Sequence, residues 1–127
     1  MNAALAEAAL ELVGVPFRLH GRDPASGLDC VGVVAEALRR TGRTVCTPEG
    51  YALRASSVAR FLTCADQSGL ERIDAEGDVL LCMANPIQPH LLVAVPDGFV
   101  HAHASLGRVA FMPPPLEWPV IVQWRLT

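Results

Sequence analysis

The order of the hydrophobic patterns is the feature that most constrains this chain, because helix-type spacing comes first and strand-type runs follow. Before Asp78 the apolar residues recur every three or four positions, which is typical of the buried face of a helix. From Asp78 onward they form five short runs with the length and composition of strands: VLLCM, LLVAV, FVHAHA, RVAFM and VIVQWRL. This segregation predicts an α+β fold, with N-terminal helices packed on one face of a mostly antiparallel, five-stranded sheet.

Three helices are predicted in the first half of the chain. The first has an apolar stripe between a capping residue and a terminating glycine: Asn2, Leu5, Ala9, Leu12, Val13 and Gly14. The second begins at Cys30, after the capping residue Asp29, and ends before Gly42. Its apolar stripe consists of Val31, Val34, Ala37 and Leu38. The third is expected near Ser56 to Cys64. Residues 14–29 are rich in Gly, Pro and Asp, so they are predicted to form a closely packed loop that leads to Cys30.

The composition is that of one domain covering residues 1–127, since 51% of the residues are hydrophobic and can form a core without metals or disulfides. The net charge is −3 and the basic residues are scattered, so nucleic acid is not an expected partner. Apolar runs fall short of the roughly 20 residues that a membrane-spanning helix needs, and no signal peptide is recognised. A soluble, cytoplasmic protein is therefore expected.

Four widely spaced cysteines bear on redox and metal chemistry: Cys30, Cys46, Cys64 and Cys82. They form no Cys-x-x-Cys pair, so the spacing does not predict a metal site. A disulfide is not expected in a cytosolic protein either. The last three are predicted to be buried residues that behave as small hydrophobes.

Cys30 is the candidate nucleophile, because a helix N-terminus stabilises a thiolate through its N–H groups and dipole. The same N–H groups can hold the oxyanion that forms when a thiolate attacks a carbonyl. Among the candidate bases, His90 opens a strand, whereas His101 and His103 lie two apart in the next strand and project to one face. A hairpin through Pro-Asp-Gly at 96–98 could bring His90 near one of them. Taken alone, Cys30 could equally be a core residue, and each histidine a structural one.

Two sequence blocks change this balance by their resemblance to a known family. The segment GVPFRLHGRDPASGLDCVGVV resembles the active-site signature of the NlpC-type cell-wall peptidases, which are papain-like cysteine peptidases. A second block matches in the same order: Gly77 to Leu80, His90, Asp97-Gly98, and Phe99-Val100-His101-Ala102. The C-terminal WPVIVQWRLT is similar to the last strand of the phage tail-associated members. The resemblance covers nearly the whole chain and implies a papain-like fold.

The resemblance also implies roles for individual residues. Cys30 would be the nucleophile, His90 the general base and His101 the residue that orients its imidazole, with His103 a bystander at the rim. Asp29, Phe17 and Val31 occupy positions that contact substrate in the family, although the usual Tyr and Ser are replaced here by Phe17 and Val31. His20, in the loop before Cys30, is a further candidate for lining the cleft. No metal or organic cofactor is implied.

By the same resemblance, the expected activity is a cysteine endopeptidase that hydrolyses the amide between D-glutamate and the diamino acid of peptidoglycan stem peptides. Delivery by a phage tail would bring the protein to the cell wall, so phage tail proteins are candidate partners. Phe17 and Val31 lack the hydrogen-bonding hydroxyls of the family's Tyr and Ser. The first alternative is therefore an amidase or acyltransferase that acts on a lipid or small acyl substrate. The second alternative is a structural tail component without catalysis. An apolar cleft would favour the acyl substrate, and a cleft with arginines a peptide.

Overall fold

The computed structural model describes residues 1–50, 59–86 and 88–126, and this part of the chain contains three helices and two sheets. The helices are α1 (Ala3–Glu11), α2 (Cys30–Arg40) and α3 (Ala59–Gln67). The first two strands, β1 (Arg22–Asp23) and β2 (Gly27–Leu28), pair with each other in a small antiparallel sheet. The main sheet has six antiparallel strands in the order β3-β8-β4-β5-β6-β7. Their bounds are β3 (Leu70–Ile73), β4 (Val79–Asn85), β5 (Gln88–Val95), β6 (Gly98–His103), β7 (Arg108–Met112) and β8 (Val120–Leu126).

The α+β class and the antiparallel sheet are confirmed, but the predicted number of five strands is wrong. The strand that was missed is β3, which pairs with β8 at one edge of the sheet. Its sequence, LERI, buries only Leu70, so it carries almost no hydrophobic signal. Its pairing partner lies more than fifty residues away along the chain, from Leu70 to Leu126.

The first two helices begin as their capping residues predict. The Asn2 side chain accepts a hydrogen bond from the Leu5 N–H, and the Asp29 carboxylate accepts one from the Gly32 N–H. The placement of Val13 on the buried face of the first helix is wrong, because α1 already ends at Glu11 and Val13 is 43% exposed.

The third helix extends further along the chain than predicted, to Gln67. Its described part runs from Ala59 to Gln67, and residues 56–58 of the predicted segment lie outside the described residues. The predicted loop over residues 14–29 is not entirely irregular, since it contains the short strands β1 and β2.

The two faces of the main sheet are covered differently. Alternate residues of β5 and β6, among them Val93 and Val100, pack with α1 and α2 in the main hydrophobic core. On the other face, Leu80, Cys82 and Leu92 form a smaller cluster. Residues 113–119 lie across that cluster, with Leu116 and Trp118 packed against it.

The buried carboxylate of Asp78 joins the two ends of the chain. One oxygen accepts a hydrogen bond from the Asn2 N–H at 2.6 Å, and the other accepts one from the Leu126 N–H at 2.9 Å. A carboxylate is expensive to bury unless hydrogen bonds satisfy it, and here both oxygens are satisfied by backbone donors. Asp78 therefore fixes the start of α1 against the end of β8.

The cysteines other than Cys30 differ from the expectation in part. Cys82 is fully buried, as predicted. Cys46 and Cys64 are only half-buried, and their sulfur atoms lie 2.8 Å apart. All four cysteines are free thiols.

None of the helices in the described ranges is both long and apolar enough to cross a membrane.

Candidate active site

A cleft of about 230 Å³ lies at one end of the main sheet, where β4 ends, β5 begins and β6 ends. The N-terminus of α2 reaches the same place and contributes Cys30. The strands contribute His90, His101 and His103, and aromatic side chains from other segments complete the walls: Phe17, Phe61 and Trp118. The candidate nucleophile and the candidate base therefore share one cavity.

Cys30 is the first residue of α2, and its sulfur lies against the backbone of β5. The N–H of Leu91 donates a hydrogen bond to the thiol group. Because Leu91 directly follows His90, this contact places the sulfur beside the strand segment that carries the imidazole.

Close packing of the preceding loop fixes the start of α2. A Cβ atom on Gly32 would lie only 2.2 Å from the Gly21 carbonyl oxygen, so only glycine allows the loop to approach the helix this closely. The buried Asp29 side chain ties the loop down through the His20 N–H at 2.8 Å and the Arg22 guanidinium at 3.0 Å. These contacts explain the predicted dense packing of residues 14–29.

The imidazole of His90 is held by His101. His90 Nε2 lies 2.9 Å from His101 Nδ1, and the two rings meet edge to face at 89°. The β5–β6 ladder runs from Gly98, at the hairpin turn, to the pair formed by Val93 and Val100. The two histidines lie beyond this last pair, at the cleft. When His90 Nε2–H donates in this contact, His90 Nδ1 carries the lone pair and can accept a proton.

Trp118 covers both imidazoles. Its ring meets the His90 ring at 5.4 Å and 88° and the His101 ring at 5.8 Å and 70°. His103 lies on the other side of His101, with ring centroids 5.3 Å apart, and accepts a hydrogen bond from the Leu106 N–H. The contact between His101 and His103 agrees with the prediction that they share one face of the strand.

Burial controls the protonation of His90 and His101. The pKa of His90 is lowered to about 3, mainly because desolvation disfavours the imidazolium and also because His101 and His103 are close. Desolvation, followed by the proximity of His103, lowers the pKa of His101 to about 4. The rings are neutral at neutral pH.

Burial opposes the stabilisation that the helix N-terminus is expected to give the Cys30 thiolate. Burial raises the pKa of the Cys30 thiol to about 12, although the Leu91 N–H opposes the increase; the Asp29 carboxylate raises it further. The residue as a whole is half-buried and lines the cleft. The resting pair is therefore a thiol and a neutral imidazole.

Five of the seven predicted site residues line the cleft: Cys30, His90, His101, Asp29 and Phe17. Val31 does not, because its side chain is buried in the main core, and its predicted place in the substrate pocket is not realised. His20 is exposed, lies outside the described lining, and contacts the site through its backbone N–H on Asp29. Asp29 itself is 2% exposed and mainly serves to cap α2.

Two wall residues, Phe61 and Trp118, were not predicted as parts of the site. Neither belongs to a sequence motif. No local sequence signal could have placed them, because α3 and residues 113–119 reach the cleft only through tertiary packing.

Comparison of the chain with protein-family models and with curated protein sequences gives no match. The functional interpretation therefore depends on the sequence motifs and the geometry of the cleft. Within the described ranges, no group of three or more His, Cys, Asp or Glu residues has the geometry of a metal site.

The arrangement has the parts that nucleophilic catalysis requires. Cys30 supplies a thiol, His90 a neutral base held by His101, and the first turn of α2 supplies N–H donors for an oxyanion. Because the thiol and the imidazole are both neutral at rest, proton transfer would accompany the attack on a carbonyl rather than precede it.

Proposed function

We propose that the protein is a papain-like cysteine hydrolase that cleaves an amide through a thioester on Cys30. The observation that supports this most directly is the hydrogen bond between His90 Nε2 and His101 Nδ1 in the cleft that also contains Cys30. An imidazole with one nitrogen fixed by a hydrogen bond presents its other nitrogen as a base, and activation of a thiol requires such a base. The ordered motifs around Gly77, Asp97 and Cys30 support the same family.

In the proposed reaction, His90 Nδ1 takes the proton of Cys30 as the sulfur attacks the substrate carbonyl carbon. The oxyanion accepts hydrogen bonds from the Cys30 backbone N–H and a second nearby donor. His90 then protonates the leaving nitrogen, the C–N bond breaks and a thioester remains. Water, deprotonated by His90, hydrolyses the thioester and restores the thiol.

The first candidate substrate is a peptidoglycan stem peptide, cut between D-glutamate and the diamino acid, with a phage tail as the route to the cell wall. The motif resemblance supports this choice. The described lining of the cleft supports it less, because it contains no arginine and its one carboxylate, Asp29, is bound to Arg22. A stem peptide carries carboxylates that an arginine would normally recognise.

The second candidate is an amidase or acyltransferase acting on an apolar acyl group. The aromatic and aliphatic walls support it, since Phe17, Leu19, Phe61 and Trp118 leave few polar groups besides the histidines. Apolar walls with a few placed polar groups are typical of sites that bind apolar small molecules. Phe17 supports this substrate in a specific way, because it offers no hydroxyl to a peptide.

The experiment that separates these candidates offers the purified chain two substrate sets under identical conditions. One set is a series of stem-peptide fragments, and the other is a series of N-acyl amides of increasing chain length. Intact-protein mass spectrometry after an acid quench detects an acyl adduct, and digestion assigns it to a cysteine. Cys30→Ala is the inactive variant, and Cys82→Ala is the matched control that keeps Cys30.

An adduct on Cys30 from stem peptides supports the peptidase, and one that increases with acyl chain length supports the acyl substrate. Turnover that is unchanged in Cys30→Ala would refute the thioester mechanism. An inert Cys30 with every substrate, in a protein that remains folded, would favour the structural tail component.

A further inference from the structure

Outside the cleft, the half-buried thiols of Cys46 and Cys64 form a second sulfur site. Their Sγ atoms are 2.8 Å apart, although the residues are 18 positions apart in sequence. This separation exceeds the disulfide bond length of roughly 2.05 Å by only about 0.8 Å.

The backbones of the two cysteines are held together by a single buried serine. The Ser68 hydroxyl accepts a hydrogen bond from the Cys46 N–H at 2.9 Å and lies 2.8 Å from the Cys64 carbonyl oxygen, to which it donates. Ser68 is 6% exposed, so these bonds are protected from water. The positions of the two thiols are therefore set by structure that does not depend on a bond between them.

We propose that Cys46 and Cys64 form a redox-active dithiol site, which a small disulfide oxidises to an intramolecular disulfide and a small thiol reduces again. The dithiol lies outside the cleft, and its oxidation does not require Cys30 or the proposed hydrolase activity. Its bond would join the segment around Cys46 to α3, which carries Cys64. Phe61 of α3 lines both the cleft and the small cavity beside the dithiol, so the bond would also fix one wall of the cleft.

The chemistry balances with oxidised glutathione as the oxidant. The Cys46 thiolate attacks one glutathione sulfur, which forms a mixed disulfide and releases one glutathione thiolate. Cys64 then attacks Cys46 Sγ, which forms the protein disulfide and releases the second. Two electrons pass from the protein thiols to the oxidant, and the two thiol protons end on the two reduced glutathione molecules.

The pKa of Cys64 is raised to about 11, because burial disfavours its thiolate and the neighbouring Cys46 sulfur does so further. The overall reaction is the same whichever of the two cysteines attacks first.

The sequence allows a clean measurement, because trypsin places each of the four cysteines in a different peptide. The purified, reduced full-length chain is equilibrated in glutathione buffers of increasing oxidised fraction, quenched with acid, alkylated in denaturant and digested. We expect the Cys46 and Cys64 peptides to be recovered joined at millimolar oxidised glutathione, while Cys82 remains alkylated. The melting temperature should rise by roughly 5–10 °C with the oxidised fraction.

Three variants define the site. Cys46→Ser should abolish both the linked peptides and the rise in melting temperature, and Cys82→Ala should leave both unchanged. Ser68→Ala should lower the equilibrium constant for disulfide formation roughly fivefold, the equivalent of one hydrogen bond. The proposal is overturned if Cys46 and Cys64 both stay reduced in the wild type, or if they link mainly to Cys30, to Cys82 or between molecules.

Discussion

His90 Nε2 and His101 Nδ1 are 2.9 Å apart, and this contact determines which nitrogen of His90 can act as a base. If His90 donates, its Nδ1 is free to accept the proton of Cys30; if His101 donates, His90 Nδ1 carries a hydrogen and is no base. The Leu106 N–H donates a hydrogen bond to His103 Nδ1, so this nitrogen of the third ring is engaged in a separate hydrogen bond. The proposed activity therefore requires His101 as the acceptor.

This requirement predicts a graded response to substitution. His90→Ala should lower kcat/KM by about 10²–10⁴-fold, because the base is removed. His101→Ala should lower it by roughly 10–100-fold, because the imidazole remains but is misoriented. His101→Asn should recover part of the loss, since an amide oxygen can accept from His90 Nε2–H. The measurement is single-turnover acylation of Cys30.

The control for this series is His20→Asn, which alters a histidine outside the cleft lining. Asparagine tolerates the positive φ angle of residue 20. It should leave acylation within about twofold of wild type, as expected of a surface change. Equal losses in His101→Ala and His101→Asn would point to a packing role for His101 instead of an orienting one.

The reactivity of Cys30 should rise with pH instead of reaching a plateau near neutrality. Because a pKa of about 12 exceeds the ordinary 9.0 by three pH units, the thiolate fraction at pH 7 is about a thousandfold below that of an unburied cysteine. We expect iodoacetamide to label Cys30 slowly at pH 7 and faster above pH 9. The measurement is the labelling rate by mass spectrometry, with the urea-unfolded chain as the reference.

Rapid labelling of Cys30 at pH 6, lost in His90→Ala, would contradict the neutral resting pair. It would instead indicate a preformed thiolate and imidazolium. Slow labelling that is identical in wild type and His90→Ala agrees with the structure, because a neutral imidazole does not hold a thiolate.

Acid should destabilise the protein at a higher pH than its carboxylates alone would cause. Folding lowers the pKa of His90 from 6.5 to about 3 and that of His101 from 6.5 to about 4, so below pH 6.5 the unfolded chain binds more protons than the folded one. The free energy of unfolding therefore falls as the pH drops from 6.5 toward 4. Each fully desolvated histidine contributes a slope of up to about 1.4 kcal/mol per pH unit.

Urea titrations at successive pH values measure this slope. His101→Gln, which cannot be protonated, should reduce the slope between pH 6.5 and 4. A wild-type stability that is constant over this range would show that both rings become protonated in the folded state.

Local sequence signals were sufficient for the parts of the fold that local interactions determine. Asn2 and Asp29 were recognisable as helix caps because their hydrogen bonds close within three residues. Strand alternation was enough to put His101 and His103 on one face. Because the strand-type runs follow the helices instead of alternating with them, an antiparallel arrangement could also be expected.

What the sequence could not provide depends on contacts between distant segments. β3 was missed because its pairing with β8 stabilises a strand that has little hydrophobic signal of its own. The direction in which the Cys30 pKa shifts depends on how far the thiol is buried. The position of Cys30 at a helix N-terminus does not reveal that burial. The approach of Cys46 to Cys64 likewise results from Ser68, at the end of α3, bonding to both backbones.

Asp29 supports the most specific prediction about stability. Its buried carboxylate accepts from the Gly32 N–H, the His20 N–H and the Arg22 guanidinium, so its loss removes a helix cap and leaves backbone donors without an acceptor. Asp29→Ala should lower the free energy of unfolding by about 2–4 kcal/mol, the sum of a lost cap and a broken buried network. Asp29→Asn should cost less, since its amide oxygen can still accept from Gly32.

The matched control for Asp29 is Asp66→Asn, which breaks an ion pair with Arg72 in which both side chains are about half exposed. Exposed pairs of this kind contribute about 0–1 kcal/mol, so this variant should unfold close to wild type. Urea denaturation of the three variants gives the comparison. If Asp29→Ala were no less stable than Asp66→Asn, the carboxylate would not be what holds the loop against α2, and Cys30 would need another explanation for its position.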